Sequence, residues 1–257
     1  MDFLQVLGNR RSIRFFDPER PVEREKVQKI LEAMRIASCA MNAHWLRAIV
    51  VYRDDLDPDT FEKLKLPVAG VVMELAPVHI YCYADPSVIA RDHGASPKQL
   101  IDIGALNPSH GWTHAFVDEF VWPQLLEPLS KSPNYPAAMA FDNGGCATQG
   151  LLMAVNLGLG ACWTAFEVEV AKQAFAVPDD WIPHYVLNVG YPLEAPGQRP
   201  RPPFESLYFE GRVGRPFVRD ETVVKDLEAA GMFQAPAPLP GRKEEVRKIS
   251  RKLGLPE

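Results

Sequence analysis

Apolar residues recur at Val27, Ile30, Leu31 and Met34, the spacing of a single helical face, and predict an amphipathic helix over residues 22 to 37. Glu23 and Glu25 near its start and Arg35 near its end suit the helix dipole. A shorter helix is expected from Asp2 to Gly8, and another after the charged loop within Asp54 to Leu66. The runs Ile49 to Tyr52, Val78 to Tyr83 and Tyr185 to Gly190 are β-branched and aromatic, and predict strands. Between them, Ala147, Leu151, Ala154, Val155 and Gly158 line one face of a buried helix that begins near Asn143. Small residues at Gly144, Ala147 and Gly150 would let a neighbouring helix approach closely, and Gly158 would end the helix. Ala161 to Phe166 reads as a loop, Val170 to Phe175 as a short helix, Phe204 to Phe209 as an edge strand and Lys243 to Leu253 as a charged closing helix. Prolines crowd the chain after Leu193 and around Gln234 to Pro240, which predicts extended arms there.

Composition adds exclusions. With 257 residues, 47% hydrophobic and 24% charged, the chain can bury a sizeable core. A net charge of -5 gives no basic excess for nucleic acid. The N-terminus opens with a charged, amphipathic segment rather than a signal peptide's apolar stretch, and the most apolar region, Val68 to Tyr83, is interrupted by Glu74 and Pro77, so neither a signal peptide nor a membrane span is expected, and the expected location is the cytoplasm. Cys39, Cys82, Cys146 and Cys162 lack the paired spacing of a zinc or redox motif and read as buried thiols. His110 and His114 stand four apart, but no Glu completes the motif and no third ligand is evident, so no metal is expected.

Candidate chemistry begins at Arg10-Arg11-Ser12-Ile13-Arg14. In an extended segment Arg10, Ser12 and Arg14 share a face, and forked guanidinium donors beside a hydroxyl suit an anion. Taken alone, those five residues read first as a solvated basic run at the end of the short N-terminal helix. Arg199 and Arg201 sit on a stiff proline-bound backbone that can present both along one edge. The small-residue loop from Ala37 to His44 either turns the chain or lets a planar or anionic group lie against its backbone. Trp112, Phe116 and Phe120 share a helical face in the irregular section from Asp85 to Tyr135, with Trp122 close by. That stripe is either core or an aromatic lid over a pocket.

Four motifs in order resemble the FMN-dependent nitroreductase superfamily: RRSIRFFDPERPV, ASCAMNAHWLRAIVV, DNGGCATQGLLMAVNLGLGACW and GYPLEAPGQRPRPP. The resemblance covers roughly residues 3 to 52 and 140 to 210. It implies an α+β fold, a three-layer α/β/α sandwich around a mainly antiparallel sheet, in an intertwined homodimer with FMN in two interface clefts. It divides the chain into an FMN-binding domain at 1–218, carrying an aromatic-rich insertion at about 85–138, and an extension at 219–257 that packs on the surface or the partner subunit.

Carried over by position, Arg10 and Ser12 would meet the phosphate or ribityl chain, with Arg11 beside them, and Arg14 would approach the pyrimidine end of the ring. Arg199 and Arg201 would complete the phosphate clamp. Ser38, Cys39, Ala40 and Asn42 match a loop that contacts flavin from the neighbouring subunit, and Thr164 and Ala165 match the loop whose backbone faces flavin N5. No side-chain acid or base is required, because the flavin carries the reaction. The implied activity is NAD(P)H oxidation in a ping-pong cycle, with hydride passing through flavin N5 to an aromatic, quinone or nitro acceptor. His44, Trp112, Phe116 and Trp122 are the candidate substrate contacts. Related scaffolds imply alternatives: reductive dehalogenation, flavin cleavage, substrate dehydrogenation, or flavin binding without turnover. His44-Trp45-Leu46 stands where the family loop usually has Gln-Pro-Trp, and Gly150 where it often has asparagine.

Overall fold

The computed structural model describes residues 1–234 and 241–256. Its centre is a four-stranded antiparallel sheet, β1 (Leu46–Tyr52), β2 (Val78–Ala84), β3 (Gly160–Thr164) and β4 (Ile182–Gly190), in the order β1-β2-β4-β3. Every residue of β2 is buried, and its two faces serve two different cores. Val78, Ile80 and Cys82 join Leu187 and Val189 under two helices, whereas Tyr81 and Tyr83 join Val51 and Val186 on the other side. This alternation makes the sheet the middle of three layers.

The first layer is α2 (Arg24–Arg35) packed on α9 (Tyr135–Asn156). Val27, Ile30 and Met34 are buried as the helical spacing requires, each worth roughly 1.5–3 kcal/mol when fully withdrawn from water. Contact with α9 depends on Gly150, where a Cβ would stand 2.5 Å from Met34 Cε. Gly144 has open space around its missing Cβ, so only part of the expected small-residue stripe is used within this chain. The opposite layer holds α3 (Pro58–Leu64), α4 (Gly70–Leu75) and, later in the chain, α10 (Val168–Ala174). Helix α9 begins eight residues earlier than the periodicity near Asn143 suggests, since 143−135 is 8. Gly158, at φ +76°, follows its last turn in the left-handed conformation that glycine allows.

Between β2 and α9 the chain forms short helices α5 (Ser87–Asp92), α6 (Ala95–Asp102), α7 (His114–Phe116) and α8 (Glu127–Ser130), with a π-helical run over Val117–Leu126. This section makes its own core from Ile89, Val117, Val121, Leu126, Tyr135 and Met139 around Trp45. Trp45 Nε1 donates to Tyr135 Oη at 2.7 Å, which fixes the section to the start of β1.

Two expectations fail here. Ala161 to Phe166 is not simply a loop, because residues up to Thr164 form β3, where Ala161 and Cys162 are buried against β4. Small residues suit that inner position, and Gly160 lets Ile13 pack where a Cβ would clash at 2.9 Å. Phe204 to Phe209 forms no edge strand: Phe204–Ser206 is a 3-10 turn, and Phe209 makes only an isolated bridge to Pro216. The expected extended arm over residues 235 to 240 lies outside the described residues.

The extension carries α11 (Glu221–Ala229) and α12 (Gly241–Leu253). It lies against α1 (Phe3–Asn9) and the segment after β4. Gln198 Nε2 donates to Met232 O at 3.0 Å, and a Cβ on Gly8 would come within 1.9 Å of Gly231 O. No described helix is long and apolar enough to cross a membrane.

Candidate active site

The N-terminal segment leaves α1 in extended conformation and runs beside β3. Ser12 makes a parallel bridge with Ala161, and Ile13 N–H donates to Ala161 O at 3.1 Å. Beyond β4 the chain returns past the same segment: Leu193 N–H donates to Phe15 O at 2.9 Å, and Asp17 N–H to Tyr191 O at 2.8 Å. Arg10 and Arg201, far apart in sequence, thereby come within electrostatic reach. Partial burial lowers the pKa of Arg10, and the Arg201 charge lowers it further. Arg11 is lowered by burial first, then by Arg10 and Arg201. Among the described residues neither Arg10 nor Arg201 makes a side-chain hydrogen bond or ion pair. Half-buried Arg10 beside the exposed Arg201, with no acid paired to either among the described residues, fits a phosphate of nearly two negative charges.

Arg11 departs from its expected place on the anion. Its guanidinium is spent on Pro196 O at 2.9 Å, Gly8 O at 2.6 Å, Arg10 O at 2.8 Å and Gln234 Oε1 at 2.7 Å. Arg14 is exposed and folds back on Ser12 O at 3.1 Å, while Arg199 is exposed.

Glu194 holds this corner together. Its buried carboxylate accepts the backbone N–H of Phe15 at 3.0 Å and that of Arg14, and pairs with the Arg242 guanidinium of α12. Arg242 also bonds Glu245 at 2.7 Å, and Glu245 accepts Ala195 N–H at 2.7 Å. The sequence gives no motif for Glu194. Its only signal is a lone acid directly after an apolar strand and turn.

The loop after α2 is a tight turn with non-glycine residues in the left-handed region, Met41 at φ 52°, Asn42 at 55° and His44 at 49°. Such backbone costs energy and persists where its surroundings fix it. Here Asp142 of α9 accepts Ala40 N–H at 2.7 Å, Asn42 N–H donates to Cys39 O at 3.0 Å, and Arg47 donates to His44 O at 2.8 Å. Ser38, Ala40 and Asn42 are exposed, and Cys39 and His44 are half-buried. A cleft of about 420 Å³ opens beside them, lined by Met34, Arg35, His44, Leu46, Arg47 and Cys146.

Thr164 ends β3, with Ala165 exposed after it. Its Oγ1 accepts from Asn188 Nδ2 at 2.8 Å, and the same amide donates to Cys162 O at 3.0 Å. Asn188 Oδ1 is therefore left to accept, and it takes the Nδ1–H of His79 at 2.9 Å. His79 Nε2 has no partner in its buried site, and burial lowers the His79 pKa to about 4. A polar residue inside the apolar run Val186-Leu187-Asn188-Val189 was the one available signal for this network.

The aromatic section supplies both anchors and open surface. Trp112 meets Phe116 edge-on at 5.6 Å, and Phe116 stacks on Phe120 at 5.3 Å. Both phenylalanines are exposed, whereas Trp112 and Trp122 pack on the local core together with Met41 and Ala43 of the loop. Trp122 lies 4.7 Å from His93. His110 faces Asn107 at 3.0 Å and His114 faces Asp102 at 2.8 Å, so the two histidines have separate partners.

An antiparallel sheet sandwiched by helices defines an α+β protein, and its N-terminal segment lies within electrostatic reach of Arg201 beyond the last strand. The chain belongs to the Nitroreductase family, whose model matches residues 7–191. It is 27% identical over 206 residues to a "Putative NADH dehydrogenase/NAD(P)H nitroreductase" of Methanothermobacter thermautotrophicus, covering 77% of this chain and 82% of that protein. The fold matches a nitroreductase-like protein of Streptococcus mutans with TM-score 0.65 at 20% identity, covering 82% of this chain and 98% of that one. It also matches a nitroreductase-type protein of Exiguobacterium sibiricum solved in complex with FMN, with TM-score 0.62 at 21% identity, covering 79% and 94%.

Proposed function

We propose that this chain is an FMN-dependent oxidoreductase that oxidises NAD(P)H and reduces a small aromatic, quinone or nitro-type acceptor. The observation that carries the reading is the Arg10–Arg201 cradle, two cations brought together by the fold without an acid to neutralise them. Arg10, Arg201 and the exposed Arg199 would hold the phosphate, and Ser12 would add a hydroxyl. Arg14, tethered only through Ser12 O, is free to turn toward the pyrimidine edge. Thr164 and Ala165 would present backbone to the ring, with Asn188 fixing the Thr164 side chain. Bound FMN supplies two-electron transfer between nicotinamide and acceptor.

Ser38, Cys39, Ala40 and Asn42 would complete a cleft across a homodimer interface. Support comes from α9, whose exposed side carries Phe141 at 84% exposure beside Gly144, Gly145 and Thr148. Leu207, Tyr208, Phe209 and Val218 are likewise exposed on the arm after β4, an apolar strip that a second copy would cover. Phe116 and Phe120 offer open rings to the acceptor, while Trp112 and Trp122 anchor them and His44 reaches the cleft beside the loop.

The test is the absorption spectrum of the purified protein with its released cofactor identified by mass, then anaerobic mixing with NADH and NADPH. Bound FMN that bleaches with either nicotinamide is the expected result. A protein that cannot be loaded with FMN, or whose FMN neither nicotinamide reduces, overturns the reading.

A further inference from the structure

Helix α9 and the strained loop bring two free thiols into contact, with Cys39 Sγ 3.5 Å from Cys146 Sγ. The Nδ1 atom of His44 lies 3.6 Å from the same Cys39 sulfur, and Ala37 O lies 3.8 Å from it. His44 Nε2–H donates to Asn42 Oδ1 at 2.8 Å, so Nδ1 is the bare ring nitrogen and faces the thiol as an acceptor. Cys39 is the more accessible sulfur, whereas Cys146 is 1% exposed. The cleft lined by His44 and Cys146 gives a small polar oxidant a route to the pair.

We propose that Cys39 and Cys146 form an oxidisable dithiol, in which Cys39 reacts with a hydroperoxide, His44 serves as the base and Cys146 closes a disulfide. The proton of Cys39 passes to His44 Nδ1, and the thiolate attacks the terminal oxygen of the hydroperoxide. An S–O bond forms and the O–O bond breaks. The departing alkoxide or hydroxide takes the proton from His44, leaving Cys39 as sulfenic acid. The Cys146 sulfur then attacks the Cys39 sulfur, an S–S bond forms, and the hydroxyl group leaves with the Cys146 proton as water. Two thiols give up two electrons, and the peroxide ends as one alcohol or water plus one water.

The order of attack follows from the surroundings. Burial pushes the Cys146 thiol up to about 12, with the Cys39 contact and Asp142 adding to it, which suits it to the second step rather than the first. Cys82, also pushed up to about 12 by burial and then by the neighbouring Cys146, donates to Ile80 O at 3.7 Å and is buried, so it is not the first sulfur to meet an oxidant. The product would staple the loop of residues 39 to 44 to α9. The two sulfurs meet within one subunit and the step itself needs no flavin, although Cys39 belongs to the loop proposed to complete the flavin cleft, so thiol loss and flavin content are read separately.

The experiment treats the purified protein, with whatever cofactor it carries, with equimolar hydrogen peroxide in the dark. Thiol titration, intact mass and non-reducing peptide mapping follow. Expected are the loss of two of the four thiols, a mass decrease of about 2 Da for the two hydrogens removed, and a Cys39 peptide joined to Cys146. Cys146→Ser should leave a Cys39 sulfenic acid that dimedone traps, and Cys39→Ser should leave Cys146 unreacted. His44→Asn, chosen because asparagine tolerates positive φ, should slow thiol loss by about tenfold or more. A cross-link through Cys82 or Cys162, an unreactive Cys39, or parental kinetics in His44→Asn overturns the proposal.

Discussion

Asn188 and Thr164 are joined side chain to side chain at 2.8 Å, which ties the last residue of β3 to the C-terminal part of β4 from within the sheet. The same amide orients His79 on β2, so three strands share one buried polar residue. Asn188→Ala should cost about 2 kcal/mol, because it leaves the buried His79 Nδ1–H without its acceptor and removes the amide that Cys162 O and Thr164 Oγ1 accept from. Urea denaturation monitored by fluorescence would read this, and a loss below about 1 kcal/mol would contradict the network.

His79 gives stability a pH signature. Its folded pKa of about 4 lies below its ordinary 6.5, so the neutral imidazole favours the fold and its contribution is fully present above pH 6.5. As pH falls from 6.5 toward 4 the unfolded chain binds a proton that the folded chain refuses. Stability then declines by up to about 1.4 kcal/mol per pH unit from this group. Below about 4 the folded chain binds it too, and the contribution levels off. Comparing the parent with His79→Gln, which keeps a donor for Asn188, should show a shallower decline in the variant across that window.

Arg10→Ala should weaken FMN retention by about 1.5–3 kcal/mol, roughly ten- to a hundredfold, and Arg201→Ala should act similarly. Arg14→Ala should lower the flavin potential with little effect on retention. Arg11→Ala should instead lower thermal stability, because its guanidinium holds the chain at Gly8, Pro196 and Gln234. Equilibrium dialysis of FMN and a melting curve separate these outcomes.

Removing Arg242 leaves the Glu194 carboxylate in a buried corner without its cation. Since Arg242 itself reaches solvent at one end, Arg242→Ala should cost about 2–3 kcal/mol, somewhat less than a fully enclosed pair. FMN affinity should fall with it, because Glu194 positions the backbone of Arg14 and Phe15. Wild-type stability in this variant would show the pair to be idle.

Phe141→Glu places a charge on the exposed face of α9. If that face is the dimer contact, light scattering should report a dimeric parent and a largely monomeric variant. A parent that is monomeric at micromolar concentration would remove the interface and the two-subunit cleft together.

Periodicity made the frame legible. The α2 stripe, the three β-branched strands and the glycine end of α9 follow from local rules, because each buries one face against a sheet. The short strand β3 was hidden because Gly160, Ala161 and Cys162 are small rather than β-branched, and their size answers to Ile13 and α9 rather than to strand propensity. Arg10 and Arg201 were each visible as cations, but their proximity depends on where two long segments cross. Arg11 looks the same as Arg10 in sequence, and only the folded course of the chain shows that the Arg11 guanidinium bonds the chain's own carbonyls while Arg10 makes no such bond among the described residues. Glu194 and Asn188 carried no motif at all, since both act through partners distant in sequence.

The crossing of the N-terminal segment with the segment that follows β4 has a consequence for synthesis. A nascent chain arrested before residue 201 can hold all four strands and still own only half of the cradle. If the cradle holds the cofactor, its capture by this subunit is a late event on the ribosome, and a flavin signal would report that both distant segments have met. Loop closure of that span is slow relative to the local helices, so ligand added during refolding should speed the final approach to native fluorescence more than the first phase.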